Sequence, residues 1–136
     1  MPRLSVWFIR AALIALVLGT LVGSVLLAAK GMPAGDGFVR AVPLHAELLL
    51  IGWLVNLALG VAYWILPKHA SARERGHSAP AWAALLLVNA GVIVVGYATM
   101  ASAPALLLAG RVAEVAAVAC FAAHAWSRVK PFGVGR

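Results

Sequence analysis

Apolar positions in this chain recur in long unbroken runs, with neither the alternation of a half-buried strand nor the narrow stripe of a water-exposed helix. The first run goes from Ala11 to Ala29, inside a span expected over about residues 8–29. Three more spans are expected at about 43–66, 80–100 and 104–126. Runs of this length match the ~20 residues that a helix needs to cross a hydrocarbon core of about 30 Å. Pro43, Pro80 and Pro104 open three of the spans, where the missing N–H costs nothing. The connections are short: a 31–42 loop holding Gly31, Pro33, Gly35 and Gly37, a basic loop at 68–79, and a neutral turn near Ser102. The pattern predicts an all-α integral membrane bundle of four transmembrane helices in one domain covering residues 1–136.

Arg3 and Arg10 before the first run and Ala28-Ala29 at its end also fit a secretory signal. Nineteen apolar or small residues are long for the apolar middle of such a signal, so a retained span is the expectation.

Composition narrows the class further. With 64% hydrophobic and 11% charged residues, and a mean hydropathy of +0.99, the chain lies outside the range of soluble domains. Its formal charge of +7 is read as orientation rather than nucleic-acid binding, because the basic residues gather at span ends and in one loop. Arg3, Arg10, Lys68, Arg73, Arg75, Arg128, Lys130 and Arg136 fall on one side, against Lys30 and Arg40 on the other. Positive residues mark the cytoplasmic face, which predicts both termini inside and a multi-pass protein of the cytoplasmic membrane. Trp7, Trp64, Trp82 and Trp126 are expected at the same interface, as an aromatic belt. The lone Cys120, in an apolar stretch, excludes an intrachain disulfide and is read as packing. Gly19-x-x-x-Gly23 in the first span is read as ordinary helix contact.

Polar and ionisable groups are costly in hydrocarbon, so those inside the spans carry the functional question. They are His45, Glu47, Asn56, Asn89, Arg111, Glu114 and His124. At about 100° per residue from His45, Gly52 falls near −20°, Asn56 near +20° and Tyr63 near 0°. One stripe of imidazole, glycine, amide and phenol suits contact with a flat or polar partner. A heme edge would fit, with Gly52 admitting the macrocycle and His45 supplying an axial nitrogen to iron. The alternative is an interfacial His45 bonded to a neighbouring helix or to water. Glu47 lies about 200° around from His45 and looks elsewhere. Arg111 and Glu114, at i,i+3, can pair with each other, or Arg111 can bridge to Glu47 or neutralise a heme propionate. His124 is expected near the inner interface, roughly 25 Å of depth from His45. His69 and His77 fall in the basic loop.

The run Leu44-His45, six residues, Gly52-Trp53-Leu54, then Gly60-Val61-Ala62-Tyr63-Trp64-Ile65-Leu66-Pro67 resembles the second helix of the catalytic subunit of heme-copper oxidases and nitric oxide reductases. There, the histidine near the outer start of that helix is an axial ligand of the low-spin heme, and His45 matches it in type, depth and direction. The resemblance is closer to short four-helix proteins described as oxidase subunit I-like, and is expected to extend over Gly110-Arg111 through Pro131. It implies heme b as a cofactor, with His45 as its ligand and Gly52, Asn56, Tyr63 and Arg111 around it. The full-length subunits have about twelve helices in three pseudo-symmetric arcs, so a four-helix chain resembles one arc. This implies a homo-oligomer, a homotrimer closing the ring, with the second axial ligand from a neighbouring subunit or from Met100. The histidine clusters that hold the second heme and the copper or iron have no counterpart here, so oxygen or nitric oxide reduction by this chain alone is not expected.

Three roles are carried forward. A b-type heme protein would move electrons or sense a diatomic gas through His45. A cofactor-free structural or accessory subunit would bind a respiratory-chain partner through the oxidase-like helix. A small transporter or channel would use Arg111, Glu114 and Glu47. No triad, phosphate loop or H-E-x-x-H or C-x-x-C motif assigns a reaction to the chain on its own.

Overall fold

A computed structural model describes residues 1–31, 38–67, 78–126 and 128–129. Four helices cover nearly all of them: α1 (Arg3–Lys30), α2 (Val39–Ile65), α3 (Ala79–Ala101) and α4 (Pro104–Trp126), each long and apolar enough to cross a membrane. Among the described residues there is no strand. His69 and His77, most of the basic loop, and the Pro33, Gly35 and Gly37 positions lie outside the described residues.

α1 begins at Arg3, earlier than its apolar run alone suggests. Its first turns carry Leu4, Ser5 and Phe8, all buried, and Phe8 packs on the bare backbone of Gly60 in α2. Packing, rather than hydropathy, sets that boundary. α1 lies along the length of α2, and α3 along the length of α4.

α2 is not a uniform helix. A 3₁₀ turn (Val39–Ala41) leads into an α-helical segment (Val42–Glu47), a π-helical segment (Leu48–Val55) and a second α-helical segment (Asn56–Ile65). Backbone bonding from i to i+5 winds the chain through fewer degrees per residue than an α-helix does. Residues beyond Val55 are therefore turned relative to His45, and the 100° rule that placed four residues on one stripe does not hold across this segment. Asn56 sits where the bonding pattern changes, and its Nδ2 donates to Gly52 O at 2.8 Å.

α3 ends on Ser102, whose φ of 53° and ψ of 43° place it in the left-handed region. The Ala103 N–H returns to Ala98 O at 3.0 Å, closing the helix end before Pro104 starts α4.

The start of α1, the end of α2, the start of α3 and the end of α4 meet at one end of the bundle, called here the terminal end. The contiguous apolar core lies there, with Leu4, Phe8, Tyr63, Leu85, Val88 and Phe121 among its members. Phe8 and Phe121 meet edge to face with centroids 6.3 Å apart. Cys120 packs against this core. Trp7, Trp64, Trp82 and Trp126 all lie at this end and are exposed, the arrangement expected of an interfacial belt.

Candidate functional site

The opposite, distal end carries the chemistry. There Gly19 and Gly23 bring α1 onto α2. A methyl group at Gly19 would stand 2.7 Å from Leu49 Cδ2, and one at Gly23 would stand 2.5 Å from His45 Cε1. The contact expected of the glycine pair thus serves a particular side chain. His45 Nδ1 lies 2.8 Å from Gly19 O. A carbonyl oxygen only accepts, so Nδ1 carries the N–H, and in the neutral ring the lone pair is on Nε2. A histidine oriented by a bond from its second nitrogen to a backbone carbonyl is the usual form of a metal-ligating imidazole.

The His45 ring lines an open groove of ≈ 520 Å³ between α1 and the start of α2. Thr20, Gly23, Ser24, Lys30 and Leu49 complete its lining. Thr20 and Ser24 return their hydroxyls to the carbonyls of Leu16 and Thr20 at 2.7 and 2.9 Å, which leaves an apolar trough with one imidazole and one ammonium at its edge.

The other residues expected to share that site do not border the groove. Gly52 faces Ala15 of α1 and Val92 of α3; a methyl group there would stand 2.9 Å from the Ala15 Cβ. Its bare backbone admits a neighbouring helix. Asn56, fully buried, exchanges amide hydrogen bonds with Asn89 of α3 at 3.2 and 3.4 Å, and Asn89 Nδ2 also donates to Leu85 O at 2.8 Å. This double amide contact ties the register of α2 to that of α3. Tyr63 lies at the terminal end, stacked on His124 with centroids 5.4 Å apart. Met100 sits at the distal end of α3, partly exposed.

Arg111 is on the far side of α2 from His45. Its Nη1 contacts Glu47 Oε2 at 2.7 Å and Glu114 Oε2 at 2.8 Å, so both pairings read from the sequence occur together. The side chains of Glu47 and Glu114 are 3% and 9% exposed, and that of Arg111 is 48% exposed. The Oε1 atoms of both carboxyl groups are buried without a hydrogen-bond partner among the described residues. Within one chain, Arg111 serves these two carboxyl groups, and His45 faces a separate groove.

Arg128 was legible in the sequence only as a topological charge, and the structure gives it a further part. It is 1% exposed, donates from Nε to Pro67 O at 3.0 Å, and donates from Nη2 to Leu66 O at 2.8 Å and Tyr63 O at 3.2 Å. Its Nη1 reaches His124 Nε2 at 3.1 Å, and its guanidinium lies 5.2 Å from the Tyr63 ring centroid. One side chain thereby caps the last carbonyls of α2 from the end of α4, combining charge and hydrogen bonds at a helix C-terminus. Spacing could not reveal this capping, because the carbonyls it serves lie more than 60 residues away in sequence. Comparison with known protein families, with curated proteins and with solved structures found no match to this chain.

Proposed function

We propose that this chain is a b-type heme protein of the cytoplasmic membrane, related in plan to one four-helix arc of heme-copper oxidase subunit I, with both termini inside. The observation that carries the proposal is His45, whose Nδ1 is engaged by Gly19 O at 2.8 Å beside an apolar groove of ≈ 520 Å³. Bound there, heme would supply one-electron transfer or the binding of a diatomic gas. His45 would provide an axial nitrogen, Gly23 the space in which its ring stands, and Lys30 a cation at the groove edge for a propionate. The groove is open on the surface of α1 and α2, so a second copy of the chain would cover it and bring the other axial ligand. A homotrimer is the ring we favour.

A second reading has its own support. Gly52, Asn56 and Tyr63 are covered by the chain's own helices, which leaves His45 alone of that stripe facing the groove. A cofactor-free accessory subunit of a respiratory complex needs no more than this.

An optical spectrum of detergent-purified protein, oxidised and dithionite-reduced, separates the two. The heme reading expects a Soret band with sharp reduced α and β bands, lost in His45→Ala and retained in His124→Ala. A featureless spectrum from folded protein grown with adequate heme discards it and favours the accessory role.

A further inference from the structure

The charges around Arg111 do not balance within the cluster. Two carboxyl groups meet one guanidinium nitrogen, and with both ionised the cluster would bury a net negative charge. Among the described residues no charged group other than Arg111 forms an ion pair with either carboxyl group, and Arg40, seven residues before Glu47 on α2, is exposed. α3 contributes Gly91 to the contact, and its one titratable residue, Tyr97, points outward at 65% exposure. Of the charged residues of α1, Lys30 lines the groove on the other side of α2, and Arg3 and Arg10 belong to the terminal end. On α2 itself His45 turns toward α1. Glu114 lies ten residues into α4 and Glu47 eight residues into α2, about 15 and 12 Å along their helices at 1.5 Å per residue, which sets the pair in the distal half of a ~30 Å hydrocarbon core. Uncompensated charge there is costly.

Two further features mark a built site. The Oε1 atoms of Glu47 and Glu114 are both buried and unpartnered among the described residues, although an ionised carboxylate offers acceptor positions on each oxygen. The Oε2 atoms of the two side chains meet at the same Arg111 nitrogen, at 2.7 and 2.8 Å, which makes the two carboxyl groups neighbours. Glu114 is also seated on a bare stretch of α3: a methyl group at Gly91 would stand 2.6 Å from Glu114 Cγ. Glycine there leaves room for the carboxyl-bearing side chain between the two helices.

We propose that Glu47 and Glu114 form a proton-binding site, in which one proton is held between the two carboxyl groups while Arg111 balances the remaining charge. A proton taken from water makes one O–H bond, turns an acceptor oxygen into a donor toward the other carboxyl group, and brings the cluster to neutrality. Arg111 also lines an open cavity of ≈ 420 Å³ with Pro43, Thr99, Ser102 and Leu107, so one side chain separates the buried carboxyl pair from that cavity. The site is separate from the His45 groove and does not depend on heme.

The test is infrared spectroscopy of the purified full-length protein, reading the C=O stretch of protonated carboxyl groups at neutral pH, in H2O and D2O. The wild type should show one such band, shifted by carbon-13 glutamate labelling and by deuterium exchange. Glu47→Gln and Glu114→Gln should each abolish it, because each leaves a single carboxylate opposite the guanidinium. Helical circular dichroism and monodisperse elution serve as controls for folding. The chain has three glutamates, Glu47, Glu74 and Glu114, so if a glutamine variant fails to fold, a labelled band retained in Glu74→Gln still assigns the proton to the pair. Absence of the labelled band in the wild type overturns the proposal. So does a band that survives undiminished in both variants, or one lost in Glu74→Gln.

Discussion

At the terminal end of the bundle, α1, α2, α3 and α4 are joined by large side chains: Phe8 against Phe121, Tyr63 on His124, and Leu85 and Val88 between them. At the distal end they are joined by what is missing or charged. Gly19 and Gly23 admit α2, Gly91 and Gly110 bring α3 and α4 together, and an arginine links two glutamates. Aromatic packing tolerates lipid or water around it, because dispersion and area do not depend on the protonation or ligation of any group. Glycine contacts and buried charge are sensitive to small displacements and to one proton. The terminal end also holds one glycine contact, Gly60 on Phe8, and one buried charge, Arg128, but there the contiguous apolar core surrounds them, while at the distal end glycines and ionisable groups carry the contacts themselves.

The comparison can be broken most strongly at Arg128. Arg128→Ala removes the donors to Tyr63 O, Leu66 O and Pro67 O and is expected to cost about 3 kcal/mol. The cost should appear as a lower unfolding midpoint by circular dichroism in detergent. A distal readout, such as a heme spectrum if one is found, should survive at temperatures where the variant is folded. Loss of both together would mean that the two ends are one cooperative unit.

Gly23→Ala tests the distal end with a smaller effect. Its methyl group would enter the space of the His45 ring, at an expected cost of about 2 kcal/mol, and would break the bond to Gly19 O. The same detergent unfolding experiment measures the cost, and any absorbance that depends on His45 should fall with it. Retention of that absorbance at full intensity would separate His45 from it.

The smallest effect is expected at the α3–α4 turn. Ser102 holds a left-handed conformation that favours glycine, so Ser102→Gly should raise stability by about 0.5 kcal/mol. A small rise in the unfolding midpoint, with no change in any distal signal, is the expected result.

Much of this architecture was readable before any coordinates. Four apolar runs gave four helices, with proline at the starts of α3 and α4, because a helix in hydrocarbon must satisfy its own backbone and so has a length fixed by the bilayer. The four tryptophans at one end were legible for the same reason. The Arg111 pairings were legible too, since an arginine among apolar residues has few partners that can compensate it. His45 and the glycine pair were each visible, but not their mutual contact, which depends on how far α1 slides along α2.

Periodicity could not foresee the π-helical segment at Leu48–Val55, since nothing in eight consecutive residues shows whether a carbonyl bonds to i+4 or i+5. Gly52 still shares the α1 side with His45, and beyond the segment Asn56 meets α3 and Tyr63 meets α4. The sequence by itself determined the number, length and apolar character of the helices, because those follow from local composition and the thickness of the bilayer. Only the tertiary structure decided that His45 meets Gly19, that Asn56 meets Asn89, and that Arg128 closes the end of α2. Such contacts arise from rotation and register between helices, which many chains of similar hydropathy would leave open.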